Sequence, residues 1–233
     1  MTTLIERLAN SRQITRLCHF TPSRNFVHIA TDGKGLLASS KLSEDARSVF
    51  SATDRQRLDG FPDHVCCSIQ YPNAWYFRKA RRDERIFKDW VVLLLNPRHL
   101  WTAGTKFCHR NAAANFGSDV AEGETAFDSL FATSVLGSQN RTYGREASHP
   151  TWLPTDEQAE VLIPDRVERD DLLGIVVADE AQAKREQSRL VQLEAEPLPI
   201  YVCSDFFEAY ALSKMLRVGR MPTEVLFVPG DRS

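Results

Sequence analysis

The sequence lacks the features that mark several large classes of protein. Its longest apolar run, Val91 to Leu95, is far too short to cross a bilayer, and residues 1–12 have no apolar core of a signal peptide. It contains no G-x-G-x-x-G and no G-x-x-x-x-G-K-[ST] pattern, so a Rossmann or P-loop phosphate site is excluded. We therefore expect a cytoplasmic protein with no membrane contact.

Cysteine is also scarce, and its arrangement excludes two further classes. The five cysteines are an odd number and form no C-x-x-C pair, which argues against a disulfide framework and against a structural zinc site. We expect a reducing compartment, no bound metal, and cysteines buried as small hydrophobic residues. The net charge of -2 gives no global attraction to nucleic acid, so any such surface must be local.

Short strand patterns outnumber long helical ones. The clearest is Asp89–Leu95, whose continuous apolar run predicts a strand buried on both faces. Because strands and helices do not alternate strictly, the pattern indicates an α+β fold with a mixed sheet or split barrel and short helices. Further strands are predicted at 17–21, 65–69, 105–108, 160–164, 173–178, 200–203 and 224–228, and helices at 2–12, after Ser23, 74–85, 179–195 and 206–217.

The length of 233 residues fits one domain, residues 1–233, with a C-terminal helix and strand extension from about residue 179. The helix at 179–195 carries many charges and is predicted to be exposed, with Leu190 and Leu193 as its apolar contacts. Residues 134–155 are rich in turn residues, and we interpret them as a long functional loop.

One carboxylate lies directly after that loop. Glu160 stands at the junction between a polar segment and the apolar run Val161-Leu162-Ile163. A strand holds its first side chain firmly because ladder hydrogen bonds fix the backbone. Glu160 is therefore placed either to face a cleft or, as the simpler interpretation of this stretch alone, to be an ordinary solvated residue.

Three stretches, in order, resemble one family. The first is Cys18-His19-Phe20-Thr21, followed by Asn25 and by Gly35-Leu36-Leu37. The second is the strand and aromatic helix start at 65–77, and the third is Gln158-Ala159-Glu160 with the apolar residues after it. Together they resemble the DarT family of toxins, which ADP-ribosylate single-stranded DNA, over about residues 14–178.

The resemblance implies an ADP-ribosyltransferase-like fold and the cleavage of the nicotinamide–ribose bond of NAD. ADP-ribose would pass to a nucleobase of single-stranded DNA, and the family implies a macrodomain antitoxin that removes it. Two features depart from the family pattern. The spacing of the arginines in residues 40–63 does not clearly match the family pattern. Asn73-Ala74 stand where the best-known members have Pro-Met. The acceptor base, thymine or guanine, therefore stays open.

The resemblance implies two catalytic residues. Glu160 would stabilise the positive charge that develops on the ribose, and would take the proton from the attacking base nitrogen. An arginine would meet the diphosphate or the attacking base, since a guanidinium suits either. Arg57 is our first choice and Arg55 the reserve; solvated loop arginines are the alternative.

Five further residues would hold NAD. His19 and Thr21 alternate on a strand, so their side chains share a face, and they would bond the ribose and the amide. Asn25, Gly35 and Leu36 complete this predicted set. A satisfied core histidine is the alternative for His19.

Nicotinamide needs a flat partner, and the stretch 71–77 offers four aromatic residues. We predict that Tyr71 or Tyr76 contacts it, with Trp75 as packing. The helix that follows has a basic face, which would track a phosphate backbone while aromatic residues of the 134–155 loop stack on bases. A solvated helix face is the alternative for this set: Arg78, Arg81, Arg82 and Arg85.

Three other functions remain compatible with the residues. The same chemistry on RNA is one. Transfer to a protein is the second, because the pair Gln158 and Glu160 resembles the acidic-pair motifs of protein-directed transferases. The third is an inactive module that binds NAD or nucleic acid without reaction.

Overall fold

A computed structural model describes residues 2–31, 33–42, 57–137 and 141–229. These parts contain α1 (Leu4–Ser11), α2 (Ser23–Thr31), α3 (Ala74–Asp83), α4 (Glu124–Ser129), α5 (Glu180–Gln192) and α6 (Ala209–Arg217). The strands are β1 (Leu17–Pro22), β2 (Leu36–Leu37), β3 (His64–Ile69), β4 (Trp90–Leu95), β5 (Lys106–Cys108), β6 (Ala121–Glu122), β7 (Ser134–Leu136), β8 (Thr142–Gly144), β9 (Glu160–Pro164), β10 (Arg166–Val167), β11 (Leu172–Val177), β12 (Ile200–Val202) and β13 (Val225–Leu226).

Nine strands form one large sheet in the order β13-β12-β11-β4-β1-β3-β9-β5-β6. Only β11 and β12 run parallel among its described strand pairs, and the other neighbours are antiparallel. The predicted α+β class with a mixed sheet is therefore confirmed. Within the described residues the sheet is open, with β13 and β6 as its edges, and no closed barrel forms.

The strand β4 lies inside the sheet, between β11 and β1, and its sequence explains its position. Val91, Leu93 and Leu95 pack into one hydrophobic cluster, while the alternate residues of the strand pack into a second cluster on the other face. Every residue of β4 is buried, as the continuous apolar run predicts. Burying a leucine or valine side chain contributes about 1.5–3 kcal/mol, so each such residue of β4 adds to the stability of the core.

The neighbour of β4, β1, is paired differently on its two sides. It bonds β4 along its whole length, from Leu17 opposite Leu95 to Pro22 opposite Trp90. It pairs β3 only at Leu17 and Cys18. Beyond Cys18 the two strands have no ladder between them, so the sheet splits and a cavity opens there.

The helix boundaries differ from the predicted ones for identifiable reasons. Ser23 is the first residue of α2 rather than a cap, and its Oγ donates to Glu186 at 2.5 Å. Asn73 caps α3, because its Oδ1 accepts from the backbone N–H of Tyr76 at 3.0 Å. The helix ends at Asp83 instead of about Arg85, because Glu84 has an extended backbone conformation.

The prediction that residues 179–195 are exposed was wrong for one face of α5. Glu186 is fully buried there and pairs with Arg189 at 3.1 Å, so a charged residue faces the protein. Leu190 is buried as predicted, but Leu193 lies beyond the helix and is 48% exposed. A buried charge is retained only with partners, which α2 and α5 supply together.

The turn-rich segment contains more regular structure than the sequence indicates. β7 and β8 form a hairpin inside it, and residues 138–140 lie outside the described residues. Further along, β12 and β13 extend the main sheet beyond β11. Arg16 clamps this extension by donating to both carboxylate oxygens of Glu224 at 2.6 Å. Within the described parts, no helix has the length and apolar content needed to span a membrane.

Two nearby glycines allow a matched stability test. Gly33 and Gly35 both have positive φ, +66° and +72°, but a Cβ at Gly35 would lie 2.2 Å from the carbonyl oxygen of Val167, whereas at Gly33 it meets no described atom within 4 Å. We expect Gly33→Ala to cost about 1–2 kcal/mol from backbone strain. Gly35→Ala adds a backbone clash, so its loss of unfolding free energy should be clearly larger. Denaturant unfolding measures both, and equal losses would contradict the close approach of β2 and β10.

Candidate active site

A cavity of about 690 Å³ lies where β1 and β3 separate. Its walls come from β1, α2, β2, β3, the start of α3 and the start of β9. Sites for small molecules and cofactors have volumes of about 300–1,000 Å³, so this cavity is large enough for a dinucleotide. The predicted residues that line it are His19, Thr21, Asn25, Gly35, Leu36, Arg57, Tyr76 and Glu160.

Glu160 is the first residue of β9 and is only 8% exposed, so the solvated alternative does not hold. The backbone of β9 is fixed on both sides, by β3 and by β5. The carboxylate accepts from Asn111 Nδ2 at 2.9 Å and from the backbone N–H of Ala112 at 3.4 Å. Because polar donors meet a buried carboxylate here, Glu160 is held in one orientation toward the cavity.

The turn before Glu160 is anchored by its own side chains. Asp156 Oδ1 accepts from the backbone N–H of Gln158 at 2.9 Å, and the Asp156 carbonyl accepts from that of Ala159. Glu157 reaches α6, where it accepts from Ser213 at 3.0 Å and pairs with Arg217 at 2.5 Å. The C-terminal helix therefore helps to fix the turn before Glu160.

His19 faces the cavity from β1 in a defined tautomer. Its Nδ1 lies 2.8 Å from the carbonyl oxygen of Cys66, which can only accept, so Nδ1 carries the proton. Burial lowers the pKa of His19, and the nearby Arg57 charge lowers that pKa further against the opposing effect of the carbonyl. A neutral ring therefore leaves Nε2 as a hydrogen-bond acceptor.

Thr21 and Asn25 are joined directly, because Asn25 Nδ2 donates to Thr21 Oγ1 at 2.9 Å. This bond links β1 to the first turn of α2 beside the cavity. Cys66 also lines the cavity, but burial raises the pKa of its thiol well above the ordinary value. The thiol therefore stays protonated and is a poor nucleophile.

Arg57 is held by the chain itself. Its guanidinium donates to both oxygens of Asp59 at 3.1 and 3.0 Å, to the carbonyl of His64 at 2.8 Å and to the carbonyl of Phe61. Asp59 is only 3% exposed. The double hydrogen bond predicted for this guanidinium is therefore made to Asp59. We interpret Arg57 as a source of positive potential in the cavity rather than as a bidentate binder of a ligand. Arg55, the reserve, lies outside the described residues.

The two predicted tyrosines have different surroundings. Tyr76 lines the cavity and lies 5.9 Å from the ring of Phe20. Tyr71 is not part of the cavity lining. It packs against Trp152 at 5.3 Å under the guanidinium of Arg16, and burial raises its pKa to about 12. Of the two tyrosines predicted to contact nicotinamide, only Tyr76 therefore lines the cavity, and its contact with the ligand stays a prediction.

Several cations on the basic face of α3 already contact other groups of the protein. Arg81 is half-buried and donates to the carbonyl of Phe207 at 2.6 Å, while Arg78 donates to the hydroxyl of Tyr210 at 3.3 Å. Arg82 pairs with Asp83 at 3.1 Å. The aromatic residue Trp152 of the 134–155 loop belongs to the core rather than to an open surface. The phosphate-tracking role of this helix stays a prediction.

Sequence reasoning missed three residues of the site: Asp59, Asn73 and Asn111. An asparagine before Ala-Ala-Ala does predict a cap, and Asn111 caps the 3₁₀ helix Ala112–Asn115 through the N–H of Ala113. No local pattern relates Asn111 to Glu160, however, because β5 and β9 bring them together. Within the described residues no group of His, Cys, Asp and Glu is placed to hold a metal ion.

A sequence model of one family matches residues 18–208, and that family is described as "DarT: ssDNA thymidine ADP-ribosyltransferase, DarT". The match spans most of the chain, so this protein belongs to the DarT family. Comparison with curated proteins finds no match.

Solved structures with the same fold agree with this membership. Thermus sp. 2.9 DarT in complex with ADP-ribosylated ssDNA is 14% identical, with a TM-score of 0.56 over 84% of this chain and 97% of that one. The same protein in complex with NAD+ has a TM-score of 0.54 at 14% identity, over 84% and 98% of the two chains. Thermosipho africanus DarTG in complex with ADP-ribose is 13% identical, with a TM-score of 0.57 over 83% of this chain and 51% of that one.

Asp156 gives a pH test of the turn before Glu160. Its Oδ2 is buried without a hydrogen-bond partner among the described residues, and burial raises its pKa from 3.8 to about 6. Between those values the folded protein holds a proton that the unfolded chain has lost. The folded state is therefore favoured at low pH, and it loses on the order of 2–3 kcal/mol as pH rises through 6.

We expect Asp156→Asn to remove this loss, because a neutral amide does not titrate and still accepts from Gln158. The difference in Tm between pH 5 and pH 7.5 should shrink in the variant, as measured by calorimetry. Asp128→Asn is the control, since the Asp128 side chain is 61% exposed. An unchanged pH dependence in Asp156→Asn would contradict the raised pKa.

Proposed function

We propose that this chain cleaves NAD+ and transfers ADP-ribose to a thymine base of single-stranded DNA. The observation that carries the proposal is the meeting of Glu160, His19, Thr21 and Arg57 in one cavity, from segments far apart in the sequence. Its membership of the family of ssDNA thymidine ADP-ribosyltransferases names the substrates. Among the similar structures, the NAD+ and ADP-ribosylated ssDNA complexes of Thermus sp. 2.9 DarT support both.

The cavity has two chemically different ends, which orient NAD+. Lys41 lies near the start of β3, where it pairs with Asp165 at 2.8 Å, while Ser68 lies near the opposite end of that strand. The separation along β3 from His64 to Ser68 is about 13 Å at 3.3 Å per residue. We place the diphosphate at the end with Lys41, whose ammonium group would then contact a phosphate oxygen in addition to Asp165. The nicotinamide ribose then lies between His19 and Glu160.

In this proposal Glu160 stabilises the positive charge that forms during the reaction. Loss of nicotinamide leaves positive charge on the anomeric carbon, and a buried, oriented carboxylate stabilises that charge more than water does. The same carboxylate accepts the proton from the base nitrogen as it attacks. Asn111 and the N–H of Ala112 keep the carboxylate in place without neutralising it. Neutral His19 accepts a hydrogen bond from a ribose hydroxyl through Nε2.

Arg57 supplies the opposite charge. A base nitrogen that loses its proton becomes anionic, and a fixed guanidinium nearby lowers the cost of that charge. Asp59 orients Arg57 by its double hydrogen bond. The residue also has a positive φ of 41°, a strained backbone conformation of the kind that concentrates at functional sites.

A single-stranded acceptor fits this chemistry, because base nitrogens are paired and stacked in a duplex. We propose that exposed cations of α3, Arg82 and Lys79 among them, contact the phosphate backbone while one base enters the cavity. Binding should then weaken as salt rises, since phosphate contacts release counterions.

We further propose that the protein is a cytoplasmic toxin, neutralised by a macrodomain antitoxin that removes ADP-ribose from DNA. The support is the family resemblance together with the longer Thermosipho africanus DarTG chain, of which this chain covers 51%. In this proposal residues 1–233 act as one domain, with the extension from about residue 179 bracing the catalytic turn through Glu157 and α6.

Glu160→Gln tests the catalytic proposal. Glutamine keeps the size and one acceptor oxygen but removes the charge, so we expect transfer to fall at least about 100-fold while NAD+ affinity stays within a few fold. Mass analysis of short single-stranded oligonucleotides, each lacking one of the four bases, measures transfer and names the acceptor. Matched RNA and duplex strands are included.

Glu194→Gln is the control, because Glu194 is exposed and outside the cavity. Transfer by Glu160→Gln within threefold of the unaltered protein would remove Glu160 from catalysis. A mass gain that requires guanine would identify guanine, and not thymine, as the acceptor base. A mass gain seen only on RNA would identify RNA, and not DNA, as the acceptor strand. An unaltered protein that binds NAD+ but consumes none would favour an inactive binding module.

Arg57→Lys tests the role of the guanidinium. Lysine keeps the charge but cannot form the planar double hydrogen bond to Asp59, so we expect transfer to fall at least about tenfold. Arg12→Lys is a matched control, because Arg12 also pairs with a carboxylate, Asp128 at 2.9 Å, but lies outside the cavity lining. Transfer rates and Tm are measured for both. Undiminished transfer by Arg57→Lys would show that its charge needs no fixed orientation.

A further inference from the structure

Asn73 carries a buried hydrogen-bond donor that the fold does not use. The residue is 3% exposed and lines the cavity. Its Nδ2 has no hydrogen-bond partner in the part of the chain that the structure describes. Other described residues also have a buried unpartnered atom, but none of them lines this cavity. Leaving such a donor unpaired costs about 1–3 kcal/mol, so a ligand that pairs it gains that amount.

The orientation of this amide is fixed by the helix it caps. Its Oδ1 accepts from the backbone N–H of Tyr76 at 3.0 Å, which an Nδ2 group cannot do. Its own backbone N–H donates to Ser68 Oγ at 3.1 Å. The side-chain oxygen and the backbone N–H of Asn73 are thus both engaged in hydrogen bonds. Nδ2 is the polar group of this side chain that can still bond a ligand in the cavity.

Its position relative to Glu160 follows from the register of the sheet. Cys67 opposes Val161 in the antiparallel pair of β3 and β9, so the next pair along is Ser68 with Glu160. Directly opposed residues point to the same face of a sheet. Asn73, bonded to Ser68, therefore lies beside the catalytic carboxylate, and Tyr76 lies one helical turn further on the same face of α3.

We infer that Asn73 Nδ2 donates a hydrogen bond to the carboxamide oxygen of nicotinamide and so positions the leaving group of NAD+. An N–H donor requires an acceptor, and the carboxamide oxygen is the acceptor that this ring presents. The deep position favours nicotinamide over the acceptor base, because the base must arrive from solvent. The inference rests on the proposed use of NAD+ and assigns Asn73 as a positioning residue.

The test is Asn73→Ser, since serine preserves the N-cap acceptor but removes the amide donor. Binding of a non-hydrolysable NAD+ analogue and of ADP-ribose is measured by calorimetry. We expect the NAD+ analogue to bind about tenfold more weakly, the worth of one hydrogen bond. ADP-ribose has no nicotinamide, so its affinity should stay within twofold. Asn73→Thr, which also caps, serves if the serine variant does not fold.

A ligand comparison sharpens the assignment. Nicotinamide should inhibit NAD+ consumption by the unaltered protein more strongly than 3-methylpyridine, which lacks the carbonyl, and the two should become equal in Asn73→Ser. Asn96→Ser is the control, because Asn96 caps the 3₁₀ helix Pro97–Trp101 outside the cavity. It should leave both binding constants unchanged.

Three results would overturn the inference. Equal weakening of the NAD+ analogue and ADP-ribose would mean that Asn73 only shapes the cavity. Unchanged binding of both, with unchanged transfer to DNA, would mean that Nδ2 meets no ligand. Unchanged binding with reduced transfer to DNA would place the donor on the acceptor base. These binding measurements need no transfer, so a failure of the proposed reaction is distinguishable from a failure of this assignment.

Discussion

The site depends on the early parting of β1 from β3. β1 is committed to β4 along its full length, because β4 is buried on both faces and forms the centre of the core. On its other edge it pairs with β3 only at its first residues, Leu17 and Cys18. From His19 onward the strand faces open space, and the His19–Cys66 hydrogen bond spans part of the gap. A stable core thus creates the cavity that the chemistry requires.

Charge in this cavity is fixed by the chain rather than by solvent. Glu160 is held by Asn111 and a backbone N–H, and Arg57 is held by Asp59. Each charge is oriented before any substrate binds, which lowers the cost of reorganisation during reaction. The buried donor on Asn73, which has no hydrogen-bond partner among the described residues, is the exception, and we propose that it meets the leaving group.

The C-terminal part of the chain contributes to the site without lining it. Arg217 and Ser213 hold Glu157, three residues before Glu160, and Arg16 holds Glu224 beyond α6. The turn before Glu160 is therefore braced from a segment that follows it by more than fifty residues in sequence. A change in α6 would reach the active site through this contact.

The amino-acid sequence by itself determined the elements that depend on local pattern. The apolar run of β4, the strand start at Glu160 and the alternation of His19 and Thr21 follow from side-chain periodicity and backbone hydrogen bonding. Tertiary structure alone decided which of the two tyrosines lines the cavity, since Tyr76 faces it whereas Tyr71 packs against Trp152. It also decided the partners of Glu160 and Arg57 and the burial of Glu186. Such contacts join residues distant in sequence, and local propensity carries no information about them.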